Sequence, residues 1–582
     1  MKKSQICVLA ALTALAGGGA MTFAKTGKAD IQRGLTTFNE IYKELNTSYV
    51  DTLDAKKNIR MAIDAMLGNI DPYTEYYSEE EQDEINSVSS GEYGGIGSTV
   101  MRRDTVVEFS EPRWGTPARK TGIRHGDILL EIDGTAITKD MKITDVSSRL
   151  RGQPGTDVKV KVRRRWLPAG ADSIFDYTIT RQSIKIDPVP YTGFLPGTDG
   201  IGYISVSTFN ENTASDFRKA LDRMRNTGNL KSLVIDLRNN GGGILDGAVA
   251  LASNFVPRGT DIVTVRYRDP KASKTYKTTT NPVDTQLPLV VLVNDNTASA
   301  SEIFSGAMQD LDRAVIVGER SFGKGLVQSV RPLPYNALMK VTTGRYYIPS
   351  GRLIQAIDYS HRNPDGTVAR TPDSLTNVFH TRIGREVRDG GGITPDVKVT
   401  LPEGNRLLYN IVADNWVYDF SNKVANNTTA PDPEGFQVSD TLFAQFKAFI
   451  DPARFKYDRA SDAGIKYMRD AARIEGYENP AVLAAIDTLE KLMKHDLQHD
   501  LDFNSKDIRR YLREELSSRW WDDATVARLG LDDDLYIREA VNVLSDPRQY
   551  GAFLARPSKD KAAKNDKAAK AKKDGKKAKG KK

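Results

Sequence analysis

Residues 289–328 read LVVLVNDNTASASEIFSGAMQDLDRAVIVGERSFGKGLVQ and combine strand, helix and loop patterns. The apolar, β-branched run at 289–293 predicts a buried strand, and the small polar residues at 294–302 predict a turn with several candidate helix caps. Apolar residues then recur at helical spacing: Ile303, Phe304, Ala307, Met308 and Leu311. A second strand at 314–317 leads into a glycine-flanked loop at 318–325. The pattern therefore predicts an α/β unit.

Two reactive side chains lie in the loops of this unit. Ser299 stands where the first strand turns into the helix, where amides carry partial positive charge that suits an anion on a substrate carbonyl. A serine hydroxyl needs a base to take its proton, and Lys324 is the candidate. A lysine has a pKa near ~10.4 and acts as a base only where burial lowers that pKa. Three apolar neighbours are predicted to supply the burial: Phe322, Leu326 and Val327.

Gln328 is the third residue predicted for this site. The chain after the lysine reads as a strand, and even spacing places Lys324 and Gln328 on one face, where the glutamine can hold the amine in line. The spacing alone leaves an alternative open. Strand–turn–helix units with small residues at the turn are common, and Ser299 could serve only as a helix cap.

The residues of both loops resemble those of a known enzyme family, the C-terminal processing (tail-specific) serine peptidases. Three runs carry the resemblance: TASASEIF at 297–304, GE at 318–319 and FGKGLVQ at 322–328. The resemblance implies that Ser299 is the catalytic serine, Lys324 the general base and Gln328 the supporting glutamine. It makes Ser301 a structural neighbour rather than the nucleophile.

A glycine-rich loop follows another buried strand at 233–238. Its sequence, Asn-Asn-Gly-Gly-Gly at 239–243, lets the backbone approach a ligand closely. It lacks the Gly-Lys-Ser/Thr ending of a phosphate-binding loop. The family resemblance implies an oxyanion hole made by the amide of Ala300 and one glycine amide of this loop. The candidate glycines are Gly241, Gly242 and Gly243, with Gly242 or Gly243 favoured.

Residues 87–182 read as a small β domain that resembles a PDZ domain. The resemblance rests on Gly94, Gly95, Ile96 and Gly97, followed by a Gly-Asp-Ile run at 126–128. Amides of such a loop can hold a terminal carboxylate, while the adjacent strand edge pairs with an extended peptide. The alternative is a plain small β domain with an exposed edge. His125 is predicted to be a surface loop residue.

Residues 1–24 have the pattern of a secretory signal, a basic start followed by an apolar run. Cleavage is expected after Ala20 or Ala24, and an uncleaved anchor is the alternative. The only cysteine, Cys7, lies inside this segment, which excludes disulfides and cysteine chemistry from the mature chain. The protein is therefore expected to be exported, either periplasmic or membrane-associated and facing the periplasm.

The formal net charge of +7 is concentrated at the C-terminus. Residues 559–582 contain twelve Lys against three Asp, a net of +9, which leaves about −2 for the rest of the chain. Such a Lys-rich tail, 558–582, is predicted to be disordered. A weak contact with anionic lipid or cell-wall polymers is expected at most. Nucleic acid is not predicted as a partner of an exported protein.

Helical patterns flank the two central domains at 25–86 and 403–557. In the second region Trp520 and Trp521 predict core or a docking surface, and a homo-oligomer or adaptor contact is one interpretation of the region. His495 and His499 are four residues apart, but charged neighbours favour a solvated face over a metal site. No cofactor is predicted. A Ser-His-Asp site is also disfavoured, because His361 and His380 have no evident acidic partner.

The chain is thus predicted to be a multidomain α/β protein. Its predicted parts are a signal peptide (1–24), an N-terminal helical segment (25–86), a PDZ domain (87–182), an α/β peptidase core (183–402), an α-helical C-terminal domain (403–557) and a Lys-rich tail (558–582). The predicted function is an exported serine endopeptidase that binds free C-termini of protein substrates and cleaves them through a Ser/Lys dyad and an acyl-enzyme. The alternative is a catalytically silent PDZ scaffold for exported proteins.

Overall fold

A computed structural model describes residues 27–167, 172–363, 367–401, 404–494 and 496–556. The predicted signal peptide, the Lys-rich tail and His495 lie outside the described residues. The chain divides into two compact units between Tyr76 and Tyr77. Within the described ranges, no helix has both the length and the apolar character needed to cross a membrane.

The first unit is helical, as predicted. It consists of α1 (Lys28–Ser48) and α2 (Ala55–Gly68), with the strand β1 (Glu75–Tyr77) at the junction between the units. Asp54 caps α2 by accepting the amide of Lys57 at 3.0 Å. The apolar stripe of α1 is exposed along its length: Ile31, Leu35, Phe38, Ile41 and Leu45.

A β-rich domain follows at 82–185. Its elements are α3 (Gln82–Ser90), β2 (Glu92–Gly95), β3 (Ser98–Arg103), β4 (Val106–Pro112), α4 (Pro117–Thr121), β5 (Ile128–Ile132), β6 (Thr135–Ala136), α5 (Ile143–Leu150), β7 (Asp157–Arg164), β8 (Ser173–Thr180) and β9 (Gln182–Lys185). The main sheet is antiparallel in the order β3-β4-β5-β7-β8, and β2 pairs separately with β9. The predicted limits of 87 and 182 fall inside α3 and at the start of β9.

The α/β core occupies 192–398. Its elements are β10 (Thr192–Phe194), β11 (Ile201–Ser205), α6 (Thr213–Asn226), β12 (Ser232–Asp236), α7 (Leu245–Ala252), β13 (Asp261–Tyr267), β14 (Lys274–Lys277), β15 (Leu289–Val293), α8 (Ala300–Asp310), β16 (Val315–Gly318), β17 (Leu326–Pro332), β18 (Leu338–Tyr347), β19 (Ile357–Arg362), β20 (Val368–Arg370), β21 (Val378–His380), β22 (Glu386–Arg388) and β23 (Val397–Lys398). The central sheet has the order β10-β11-β12-β15-β16-β23 and is parallel from β11 to β23.

A second sheet joins β13, β14, β17 and β18 beside the central one. Strand β18 pairs with both β13 and β17 in antiparallel register. This sheet carries Gln328 on β17 and Tyr346 on β18, so it forms one side of the predicted site.

The C-terminal region is helical, as predicted. Its elements are α9 (Arg406–Ala413), α10 (Trp416–Asn427), α11 (Asp440–Phe449), α12 (Ala460–Ile474), α13 (Pro480–Leu492), α14 (Leu497–Phe503), α15 (Ser505–Trp520), α16 (Asp523–Gly530), α17 (Leu535–Ser545) and α18 (Pro547–Phe553). Trp520 and Trp521 pack edge-to-face around Phe436, with ring centroids 5.4 and 5.3 Å away. The two tryptophans therefore belong to a packed aromatic cluster.

The central strand β15 is buried on both faces, as an apolar strand of a parallel sheet should be. On one face Val291 packs with residues of α6, α7 and α8. On the other face Val290 and Leu292 pack against residues of α17: Tyr536, Ile537, Ala540, Val543 and Leu544. The end of the helical region thus forms the second helical layer of the α/β core. The prediction of a separate helical domain at 403–557 did not anticipate this.

Candidate active site

Ser299 occupies the sharp turn between β15 and α8. Its backbone angles are φ 58° and ψ −118°, outside the regions that non-glycine residues normally adopt. A residue held in such a conformation costs about 1–3 kcal/mol, and strain of this kind is concentrated at functional sites. The side chain is half-buried at the helix N-terminus. Ser301, by contrast, is fully buried and donates its hydroxyl to the carbonyl of Asn240 at 2.9 Å.

Lys324 lies in the loop between β16 and β17 and is half-buried. Two contacts tie this loop to the serine turn. The amide of Phe322 donates to the carbonyl of Thr297 at 3.0 Å. The hydroxyl of Tyr346 donates both to the carbonyl of Ser299, at 3.1 Å, and to the carbonyl of Lys324. The backbone carbonyls of Ser299 and Lys324 therefore both contact the hydroxyl of Tyr346.

Glu302 makes a second connection between the two residues, and it is fully buried. Its Oε2 accepts the amides of Ser299 at 2.8 Å and Lys324 at 2.9 Å. Its Oε1 accepts the hydroxyl of Ser321 at 2.5 Å and the amide of Gly323 at 2.8 Å. Burial raises the pKa of Glu302 to about 7, while these four hydrogen bonds oppose the increase.

The role of Glu302 escaped the sequence analysis, although a signal was present. Serine followed three residues later by glutamate is the spacing of a capping box, in which the glutamate reaches back to the amide of the cap residue. The bond from the Ser299 amide to Glu302 has this geometry. The additional bonds to the lysine loop depend on tertiary packing, which the spacing does not predict.

Gln328 lies on β17, where its Nε2 donates to the hydroxyl of Thr342 at 3.2 Å. Even spacing is not sufficient to place Lys324 and Gln328 on one face. The strand begins only at Leu326, and its pairing with β18 shifts register between Val327 and Gln328. Because a register irregularity breaks the alternation of side chains, the spacing cannot assign both residues to one face.

Of the predicted oxyanion glycines, Gly242 lies against the serine turn. A Cβ added to Gly242, which has φ 105°, would come within 2.7 Å of Ser299 Cβ and 2.9 Å of the amide nitrogen of Ala300. The amide of Gly242 itself donates to Asn240 Oδ1 at 2.9 Å. A Cβ on Gly243 would instead meet the carbonyl oxygen of Phe209. The glycine loop therefore touches the serine turn at Gly242.

Arg238 holds the glycine loop to the last helical layer. It pairs with Asp236, at the end of β12, and with Asp534 at 2.6 Å, just before α17. Its guanidinium also lies 4.7 Å from the ring centroid of Tyr536. The pairing of Arg238 with Asp534 is not predictable from the sequence, because nothing local indicates a partner 296 residues away.

Only part of the predicted peptide-binding loop of the β-rich domain lines a cavity. Gly94 and Gly95 are paired with β9 inside β2, contrary to the loop that the glycines predicted. Ile96 and Gly97 line a cavity of about 390 Å³, together with residues of β3 and α5. Such a groove between a strand edge and a helix is where a PDZ domain takes an extended peptide.

The histidines correct two sequence predictions. His125 is buried rather than a surface loop residue. His361 does have an acidic partner, since its Nδ1 lies 2.7 Å from Asp358 Oδ2, but both side chains are exposed on one hairpin. Ser360 approaches the same ring nitrogen, so these three residues do not form a relay. No cluster of metal-ligating side chains occurs in the described part of the chain.

Comparison with known proteins places these features in one family. Residues 200–365 match peptidase family S41. This matched range includes both the serine turn and the lysine loop. Residues 108–164 match a PDZ domain, and residues 407–544 match the C-terminal helical domain of probable PDZ-proteases. The carboxy-terminal-processing protease of Bartonella bacilliformis is 34% identical over 342 residues, which cover 58% of this chain and 76% of that protein. The chain belongs to peptidase family S41.

Two further similarities accompany this assignment. A probable CtpA-like serine protease of Staphylococcus haemolyticus is 31% identical over 65% of this chain and 73% of that protein. The solved photosystem II D1 C-terminal processing protease is 29% identical and covers 69% of this chain and 94% of that chain, with a TM-score of 0.36. The family models and the similar proteases confirm the predicted C-terminal processing serine peptidase with a PDZ domain and a helical C-terminal domain.

Proposed function

We propose that this S41 peptidase is a serine endopeptidase that cuts substrate proteins through a Ser299/Lys324 dyad. The observation that carries the proposal is the shared carboxylate of Glu302, which accepts the amides of both residues at 2.8 and 2.9 Å. A fixed relation between nucleophile and base removes the entropy of assembling them in the transition state. The strained backbone of Ser299 is consistent with a side chain held out for attack.

In the proposed reaction the neutral amine of Lys324 takes the proton from the Ser299 hydroxyl. The serine oxygen bonds to the scissile carbonyl carbon, and the carbonyl oxygen becomes an anion. The amide of Ala300, at the start of α8, and an amide of the glycine loop stabilise that anion. Collapse breaks the C–N bond, the lysine returns its proton to the leaving amine, and an acyl-enzyme remains. Water then repeats the sequence to release the acid and the free serine.

Gln328 and Tyr346 are proposed to position the lysine loop. Gln328 is fixed to Thr342 on the neighbouring strand, and Tyr346 holds the carbonyl of Lys324. Neither group has to exchange a proton with the substrate in this scheme. We therefore treat both as positioning residues of the dyad.

The PDZ domain is proposed to recruit substrates by their free C-termini. The cavity beside Ile96 and Gly97 is lined by apolar residues of β3 and α5, including Val100, Ile143 and Leu150. An extended peptide could pair with a strand edge there and place its last side chain in the apolar part. This favours substrates with apolar C-terminal residues.

We further propose that the protein acts after export, with the segment 1–24 as its signal. An exported enzyme would meet envelope proteins as substrates, and the Lys-rich tail would add a weak contact with anionic lipid or cell-wall polymers. Cell fractionation of the native chain and of a chain lacking residues 1–24 tests the location. The shortened chain should stay in the cytoplasm, and equal distribution of both chains contradicts the proposal.

The decisive experiment compares the native chain with Ser299→Ala and Lys324→Ala on an exported protein that carries an apolar C-terminal tag. Both substitutions should abolish cleavage and leave tag binding intact. Gel analysis measures cleavage, and fluorescence anisotropy of the labelled tag measures binding. Turnover by Ser299→Ala would overturn the dyad. Tag binding without cleavage by the native chain would instead support the non-catalytic scaffold.

A further inference from the structure

A cavity of about 360 Å³ lies between the PDZ domain and the helical domain. The PDZ domain contributes Arg119, Arg124 and His125, and the helical domain contributes Asn422, Arg519 and Trp520. No aspartate or glutamate lines it. The cavity is separate from the peptide groove, since the two share no lining residue.

Two donors of residues that line this cavity have no acceptor among the described residues, Nη2 of Arg519 and Nε1 of Trp520. Arg519 is 5% exposed, so bulk water does not reach its guanidinium freely. Buried donors are almost always paired, because leaving one unpaired forfeits its hydration. The chain itself therefore does not supply the acceptor for these two donors.

The charge of the cavity is positive. Arg519 is paired through Nη1 with Glu515, but Arg119 donates to the carbonyl of Arg519 and Arg124 donates to the side chain of Asn426, which are both neutral acceptors. Burial, and secondarily neighbouring arginines, lower the pKa of both Arg119 and Arg124. Burial followed by Arg519 and Arg119 lowers the pKa of His125. Among the described residues, Arg119 and Arg124 therefore line the cavity without a salt bridge, and only Arg519 has a carboxylate partner.

We propose that this cavity binds a small oxyanion of the phosphate class, either free phosphate or the phosphate group of a small ester. Guanidinium groups pair with phosphate oxygens through parallel N–H bonds, and a tetrahedral anion can accept donors from several directions at once. The arginines of both domains and the unpaired Trp520 donor supply that arrangement. A planar carboxylate offers fewer acceptor directions to donors that approach from two domains.

The bound anion would also hold the two domains together. It would neutralise Arg119 and Arg124 on the PDZ side and accept the unpaired Nη2 donor of Arg519 on the helical side. A ligand that binds only the folded, docked arrangement stabilises it by mass action. Phosphate should therefore raise the midpoint of thermal unfolding in a concentration-dependent way.

The test is isothermal titration of full-length Ser299→Ala protein with inorganic phosphate at constant ionic strength, together with thermal unfolding. The variants are Arg124→Gln, which is exposed enough to leave the fold intact, and Arg119→Gln. Lys120→Gln is the matched control, because it removes the same charge from the next position of α4 and does not line the cavity. Circular dichroism checks that all variants fold.

One phosphate per chain should bind the parent protein, and each arginine variant should weaken binding by about tenfold or more. Lys120→Gln should stay within about twofold of the parent, since exposed charges act weakly at a distance in salt. Absence of saturable binding, or equal loss in Lys120→Gln, overturns the site. Tighter binding of a tricarboxylate such as citrate than of phosphate or a phosphomonoester overturns the assignment to the phosphate class.

Discussion

The amide of Ser299 donates to Glu302 Oε2 at 2.8 Å, so a buried carboxylate lies directly behind the residue proposed as the nucleophile. The same oxygen accepts the amide of Lys324 at 2.9 Å. A fully buried carboxylate is costly unless several donors satisfy it, and here four donors do so. The hydrogen bonds to Glu302 come from both the serine turn and the lysine loop, and they hold the two segments together.

Replacing Glu302 by glutamine should therefore impair the site without touching the substrate. The new NH₂ group cannot accept from an amide, so one pair of N–H or O–H donors loses its acceptor. We expect kcat to fall by about 10- to 100-fold with KM nearly unchanged, because a small misplacement of reacting groups has effects of this size. Peptide-cleavage kinetics measure it. Glu386→Gln on the surface strand β22 is the control, and unchanged kcat in Glu302→Gln contradicts the positioning role.

The pH dependence of stability should also depend on Glu302. Its ordinary pKa is 4.5, and in the folded protein burial raises that pKa to about 7. Between these values the folded state holds a proton that the unfolded state has released. The free energy of unfolding therefore falls as pH rises from 4.5 to 7, and this group contributes a fall of about 3 kcal/mol.

Urea unfolding of the native chain and of Glu302→Gln across this range tests the sign. Glutamine does not titrate, so the variant does not lose this contribution to stability as pH rises. The free energy of unfolding of the variant should therefore increase relative to that of the native chain between pH 4.5 and 7. A difference that is independent of pH would mean that Glu302 has a similar pKa in both states. The comparison cancels the other titrating groups, because both proteins contain them.

Local patterns were sufficient to predict the serine turn. The apolar run of β15, the small residues before Ser299 and the helical stripe of α8 each depend on neighbours in sequence, and all three occur where expected. Periodicity and turn chemistry carry this information because they report on the backbone itself. The choice of Ser299 over Ser301 came instead from the family resemblance, and the burial of Ser301 against Asn240 is compatible with it.

Features that depend on distant packing were not predictable in this way. The second face of β15 is covered by α17, about 250 residues later. A pattern of apolar residues predicts that a face is buried, but it does not identify the element that packs against it. His125 is likewise buried beside the helical domain, since it lines one cavity with Asn422 and Arg519, about 300 and 400 residues later. The spacing of Lys324 and Gln328 was insufficient for a different reason, because Lys324 lies before the strand and a register shift interrupts the period of two.

Gly242→Ala should disrupt the contact between the glycine loop and the serine turn. A Cβ there would lie 2.7 Å from Ser299 Cβ, and φ 105° is strained for alanine. We expect a stability loss of about 1–3 kcal/mol and a kcat lowered by about tenfold or more. Gly241→Ala is the matched stability control, since its Cβ meets nothing within 4 Å and its φ is not positive. Equal stability of the two variants would contradict the close approach.

Removal of the helical region should destroy the α/β core rather than release an independent peptidase. A chain ended at Leu401 lacks α17 and leaves one face of the central sheet uncovered. The side chains exposed are Val290, Leu292, Val315 and Val317, all fully buried in the whole chain. Burying each such side chain contributes about 1.5–3 kcal/mol, so their loss exceeds what a marginally stable domain tolerates.

Circular dichroism and size-exclusion chromatography of this truncated chain provide the measurement, with a chain ended at Arg556 as the control. The control keeps α17 and α18 and removes only residues 557–582, so it should remain folded and cleave the tagged substrate. The shorter chain should aggregate or show lost helical and strand signal. A soluble, folded and active chain ended at Leu401 would contradict the shared core, because its sheet would then be stable with one face open to water.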